Sequence, residues 1–172
     1  PFLDKAFHID DTVVLEVSKR ILEDPLDPLA GAFDWNGIIR PLWKVTTNPP
    51  FLSYYLAPVL FFCGFSEIAM HLAMVPFLFL LLASCLVLAK RFGADPWLTM
   101  IIVGSSSAVL VSMNIMRDVP ALALANGGLA LAIIGADSRS GRRSYLAIGV
   151  ILIGLGVITK YSAVVYLVVF VI

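Results

Sequence analysis

The chain has 172 residues, is 60% hydrophobic and 14% charged, and carries a formal net charge of zero. Its mean hydropathy is +0.95. That apolarity excludes an ordinary soluble domain of this length, and the balanced charge removes any bulk electrostatic case for nucleic acid.

The polar residues are concentrated at one end. Residues 1–50 hold 13 of the 24 charged side chains, eight acidic and five basic. The spacing of Val13, Val14, Val17 and Ile21 predicts an amphipathic helix, with Glu16, Lys19, Arg20 and Glu23 on its other face. Pro25 ends it, because the residue before a proline avoids the α region. The stretch "DPLDPLAGAFDWNG" (24–37) reads as turn and loop. "NPPFLSYYLAPVLFFCG" (48–64) reads as a helix opened by a proline pair, short for a full span, and expected to lie at a membrane surface.

Four apolar runs follow, at 68–89, 97–113, 119–136 and 145–172. The last exceeds one comfortable span, and a break near "TKYS" (159–162) divides it. The expected fold class is therefore all-α: a polytopic transmembrane helical bundle preceded by an outer-face loop bearing an amphipathic helix. The expected division is an extracytoplasmic loop over 1–66 and transmembrane helices over 67–172, at about 67–89, 97–113, 119–136, 145–159 and 161–172. Pro1 at the start and an apolar run at the end suggest a fragment truncated at both termini.

Charge gives an orientation. Lys90, Arg91, Arg139, Arg142 and Arg143 fall on one side of four alternating passes, and Arg117 and Lys160 fall on the other with residues 1–50. Short cytoplasmic loops concentrate Lys and Arg, so Asp10, Asp11, Arg117, Asp118 and Lys160 are expected outside. Ionisable groups at such depth are costly and tend to be paired or functional.

Each has two readings. Asp10 or Asp11 is an N-cap, or a general base that deprotonates an acceptor hydroxyl. Asp118 caps the helix beginning at Val119 with Arg117 as its partner, or it orients an acceptor. Lys160 and Arg117 snorkel to headgroups, or they hold a phosphate as it leaves. His71, inside an apolar run, reads as a buried hydrogen-bonding group. His8 beside two aspartates is a weak metal-site candidate, and no ligand set demands a cofactor, although a divalent ion is compatible with the acidic residues. Cys63 and Cys85 lack ligand spacing and read as small apolar residues. Asn36, Asn48, Asn114 and Asn126 all lack the Ser or Thr of a glycosylation sequon.

The order of these pieces carries a resemblance. "IDDTVVLEVSKRIL" (9–22) resembles the acidic pair and following helix in the first outer loop of the dolichyl-phosphate-mannose protein mannosyltransferase and aminoarabinose transferase superfamily, glycosyltransferases of GT-C type related to families 39 and 83. "NPPFLSYYLAPVLFFCGFSEIAMHLAMVPF" (48–77), "MRDVPALALA" (116–125) and "GLGVITKYSAVVYL" (154–167) are similar to later segments of that superfamily, in the same order. An arginine is common there where His71 stands. The resemblance implies an inverting glycosyltransferase that moves a sugar from a polyprenyl-phosphate donor to an acceptor hydroxyl on a protein, lipid or glycan, at the outer face of a bacterial cytoplasmic membrane. It implies Asp10 as catalytic base, Asp11 as its acidic partner, and Asp118, Lys160 and Arg117 as substrate-binding residues. Two other classes remain open: a transporter or flippase of a lipid-linked precursor, and a non-catalytic membrane assembly subunit in which the polar residues lie scattered.

Overall fold

A computed structural model describes residues 4–106, 109, 114–137 and 142–171. The chain is mostly helical. Helix α1 spans Ile9–Glu23. The Asp11 side chain accepts the His8 amide at 2.8 Å, satisfying an orphan donor of the first turn. At the far end Asp24 is extended (φ −142°, ψ 99°), as the proline after it requires.

The stretch expected as loop (24–37) ends in the first strand and the turn of a β-hairpin, which corrects the all-α reading. Strand β1 (Ala32–Trp35) pairs antiparallel with β2 (Ile38–Pro41), with Trp35 opposite Ile38. The turn is Asn36-Gly37, with φ of +57° and +79°. Both values suit the tight two-residue turn whose twist matches paired strands, and this dipeptide adopts them most readily. One helical turn, α2 (Leu42–Val45), follows directly.

Helix α3 runs Phe51–Cys63 and stops at Gly64, φ +60°. It crosses α1 and buries Leu52, Ser53, Leu56, Ala57 and Leu60. The Ser18 and Ser53 hydroxyls both donate to the Val14 carbonyl, at 2.8 and 3.0 Å, so the α1–α3 contact is closed by buried hydrogen bonds. Helix α1 is buried on two sides. Val14 and Leu15 face a core shared with α3, α4 and Ile115, while Val13, Val17 and Ile21 pack with Leu42 against the hairpin.

Helix α4 (Glu67–Arg91) is capped by Ser66, whose hydroxyl accepts the Ala69 amide, and it closes with Lys90 and Arg91 against the C-terminal dipole. Helix α5 is capped by Asp95 and runs only Pro96–Gly104, shorter than the expected 97–113. Ser105 and Ser106 donate their hydroxyls to the Ile101 and Val103 carbonyls, competing with the backbone for the helix's last acceptors. The rest of that predicted span lies largely outside the described residues.

Helix α6 (Asp118–Asp137) packs along α7 (Arg142–Val157) at very short range. A methyl group on Gly128 would lie 2.5 Å from the Gly149 carbonyl oxygen, and one on Gly149 2.7 Å from that of Gly128. Small residues let the two backbones meet, the packing that apolar surroundings favour. After α7 the chain breaks at Ile158–Lys160, makes a 3₁₀ turn at Tyr161–Val164 and continues as α8 (Val165–Val171), matching the break expected near "TKYS".

Among the described residues two helices are long and apolar enough to cross a membrane. They are α4, mean hydropathy 2.7, and α6, mean hydropathy 1.8. Only 28% of the apolar stretch in α4 is buried inside the molecule, against 61% in α6, so α4 offers its flanks outward while α6 is central.

Candidate functional site

A cleft of about 260 Å³ opens where five pieces of chain meet. The start of α1 gives Asp10, Val13 and Val14; the hairpin gives Trp35; the end of α2 and the segment after it give Val45–Asn48; and Ile115–Asp118 and Lys160 complete it. Four of the five residues singled out by their sequence context line this cleft: Asp10, Arg117, Asp118 and Lys160. They come from three segments separated by more than 40 residues each along the chain.

The two adjacent aspartates divide. Asp10 is exposed in the cleft. Asp11, one helical step round, is 1% exposed. One of its oxygens accepts the His8 amide and the other the Ile115 amide, each at 2.8 Å. Asp11 is thus turned from the cleft and ties α1 to the segment that carries Arg117. Lys5 adds a second tie by donating to the Asn114 side-chain oxygen.

Asp118 opens α6, where a carboxylate complements the N-terminal dipole. Lys160, extended at the break after α7, donates from Nζ to Asp118 Oδ1 at 2.5 Å. Both side chains are partly open to solvent, 31% and 55%, so the pair contributes about 0–1 kcal/mol to stability. Its geometry therefore says more about the site than about the fold.

Arg117 is the anomaly. Its Nε and Nη2 are buried with no hydrogen-bond partner among the described residues. Burial lowers its pKa from the usual guanidinium value, while Asp10 and then Asp118 pull the pKa back up by favouring the charged form. A depressed folded pKa on a base means the fold holds that proton less tightly than the unfolded chain does. The cost is then fully present below the folded pKa, which for a guanidinium covers the whole neutral range. Leaving such donors unpaired costs about 1–3 kcal/mol. Thr46 repeats the pattern: it is 5% exposed, lines the cleft, and its hydroxyl has no partner among the described residues. A guanidinium in a cleft is suited to an oxyanion, and a neutral hydroxyl to a ligand group that donates or accepts.

A second, apolar groove of about 380 Å³ adjoins the cleft. Leu81, Val103, Val119, Leu122, Ala163 and Tyr166 line it, and it shares Asp118 and Lys160 with the polar cleft. The ion pair stands at the boundary between the two.

His71 is fully buried on α4, its ring 6.0 Å from that of Phe7, and lies outside the cleft. His8 is the N-cap residue of α1. Among the described residues no three His, Cys, Asp or Glu side chains gather as metal ligands would. The cysteines are free. Arg139, one of the orienting charges, lies outside the described residues.

Sequence reasoning missed Trp35, Thr46, Thr47 and Asn48. The Asn36-Gly37 turn signal announced the hairpin that delivers Trp35; nothing in "VTTNPP" distinguishes the buried Thr46 hydroxyl from a loop residue.

No protein family, curated protein or solved structure matches the chain.

Proposed function

We propose that this chain carries the outer-face site of a polytopic membrane glycosyltransferase of GT-C type, which moves a sugar from a polyprenyl-phosphate donor to an acceptor hydroxyl. The observation that carries the reading is the convergence of Asp10, Arg117, Asp118 and Lys160 on one cleft, with guanidinium donors of Arg117 left without a partner among the described residues. A scattered set of polar residues would have favoured a subunit without a site.

The chemistry follows from the groups present. Asp10 accepts the proton of the acceptor hydroxyl as its oxygen attacks the anomeric carbon. The bond from that carbon to the phosphate oxygen breaks, and polyprenyl phosphate leaves with the electron pair. Arg117 and Lys160 stabilise the charge gathering on the phosphate. Asp118 holds Lys160 until the phosphate competes for it. The adjoining apolar groove suits the hydrocarbon chain of such a donor, with the ion pair at the junction of head and chain. Attack from the face opposite the leaving phosphate inverts the anomeric centre. The bilayer and the acceptor, whether protein, lipid or glycan, are the remaining partners, at a bacterial cytoplasmic membrane.

The broken helix after α7, with Lys160 at the break, favours a second reading: a translocator of a lipid-linked precursor, since such proteins bind cargo at discontinuous helices. One experiment separates the two. Membranes expressing the full-length protein are given a panel of radiolabelled polyprenyl-phosphate sugars, with Asp10→Asn alongside. Label transferred by the wild type and lost in the variant supports the transferase. Equal transfer by both removes Asp10 as the base, and translocation without transfer supports the second reading.

A further inference from the structure

The charged residues account for one part of the cleft only. Its remaining polar lining is neutral: Trp35 from the hairpin, and Thr46, Thr47 and Asn48 from the segment after α2. We propose that these four residues form a saccharide subsite, in which the Trp35 indole stacks on the C–H face of a pyranose or furanose ring and Thr46 and Asn48 take its hydroxyls. The proposal rests on the transferase reading and deepens it, by assigning the part of the cleft that would recognise the sugar rather than the phosphate.

Three observations carry it. The Thr46 hydroxyl is buried against the cleft without a partner among the described residues, so its hydrogen bond awaits a ligand group. A neutral hydroxyl and an amide, each able to donate and accept, match sugar hydroxyls, which also do both. Trp35 is half-buried and fixed from behind. Phe33 lies 6.3 Å away at 40°, and both rings pack against the α1 face of Val13, Val17 and Ile21. An aromatic plate set rigidly in a polar cleft offers contact area at little cost in side-chain freedom. The tight Asn36-Gly37 turn holds the strand that carries it.

The test uses the full-length protein in lipid nanodiscs. The probes are the methyl glycosides of mannose, glucose, galactose, N-acetylglucosamine and arabinose, read by saturation-transfer NMR. Inorganic phosphate is read by phosphorus line broadening in the same samples. At least one glycoside is expected to receive saturation, strongest on its ring C–H protons. Trp35→Ala is expected to weaken that binding about tenfold, the scale of one lost stacking contact, with Trp35→Phe recovering part of it. Asn48→Ala, a half-buried position outside the core, tests the same subsite without touching the hairpin packing. Unchanged phosphate broadening shows that each variant keeps its cleft.

Glycoside binding that survives both alanine variants overturns the subsite. So does a wild type that broadens phosphate and binds no glycoside, an outcome that leaves the transferase reading standing. Conversely, Trp35-dependent glycoside binding by a protein that transfers no label overturns the transferase and keeps the subsite.

Discussion

The joint between α1 and residues 114–117 and the contact between α6 and α7 hold the same cleft together by opposite chemistry. At the joint, Asp11 and Lys5 reach across to the Ile115 amide and the Asn114 side chain, so position is set by directed polar bonds. Between α6 and α7 the backbones touch at Gly128 and Gly149, and position is set by the absence of side chains. The first fixes Arg117 relative to Asp10, and the second fixes Asp118 relative to Lys160. A site built this way has two independent failure modes, and each can be provoked alone.

The largest effect is expected from the glycine contact. Gly128→Ala places a carbon 2.5 Å from a backbone oxygen that cannot rotate away, so the helices must separate. The expected loss is about 3 kcal/mol, by the usual cost of overpacking, read as a fall in the thermal midpoint of the detergent-solubilised protein. Gly154→Ala is the control on the same helix pair: an added methyl there meets nothing within 4 Å, and a small gain from helix propensity is expected, up to about 1 kcal/mol. Equal losses at both positions would refute the close approach as the holding principle.

Next comes the polar joint. Asp11→Ala orphans two amides, those of His8 and Ile115, at an expected cost of about 2 kcal/mol. Asp10→Asn, one residue away and exposed, is expected to change stability by no more than about 0.5 kcal/mol while abolishing label transfer. The reverse ranking would exchange the roles of the two aspartates.

That contrast marks the limit of what was legible in the sequence. Adjacent aspartates read as an N-cap, but the cap residue is His8 and both aspartates lie in the first turn of α1; which of them faces inward depends on where the 114–117 segment docks. That docking is a contact 104 residues long-range in the chain, and no local pattern encodes it. The helical runs and the break before Lys160 were legible because hydropathy and its interruptions are local properties. Arg117, Asp118 and Lys160 stood out because charge is scarce in their surroundings. Trp35 and Thr46 did not, since a tryptophan and a threonine in a loop-like stretch are ordinary until a tertiary contact buries them. The hairpin was overlooked for a different reason: its turn dipeptide was visible, but neighbouring prolines and glycines outweighed it.

Among the substitutions that touch the polar residues, one at Arg117 sharpens the comparison most, because its two readouts move in opposite directions. Arg117 belongs to both halves of the site, carried by the polar joint and adjacent to the first residue of α6. Replacing it by methionine removes a buried cation with unpaired donors and keeps much of its volume, so the protein is expected to gain about 1 kcal/mol. The gain should be flat across the neutral pH range, since the guanidinium stays charged throughout it. Phosphate line broadening and label transfer should both fall in the same variant. A residue kept at a cost to the fold is explained only by what it binds. If Arg117→Met is instead destabilising and leaves phosphate binding intact, the guanidinium is a structural partner of Asp10 and Asp118, and the anion contact in the cleft passes to Lys160 alone.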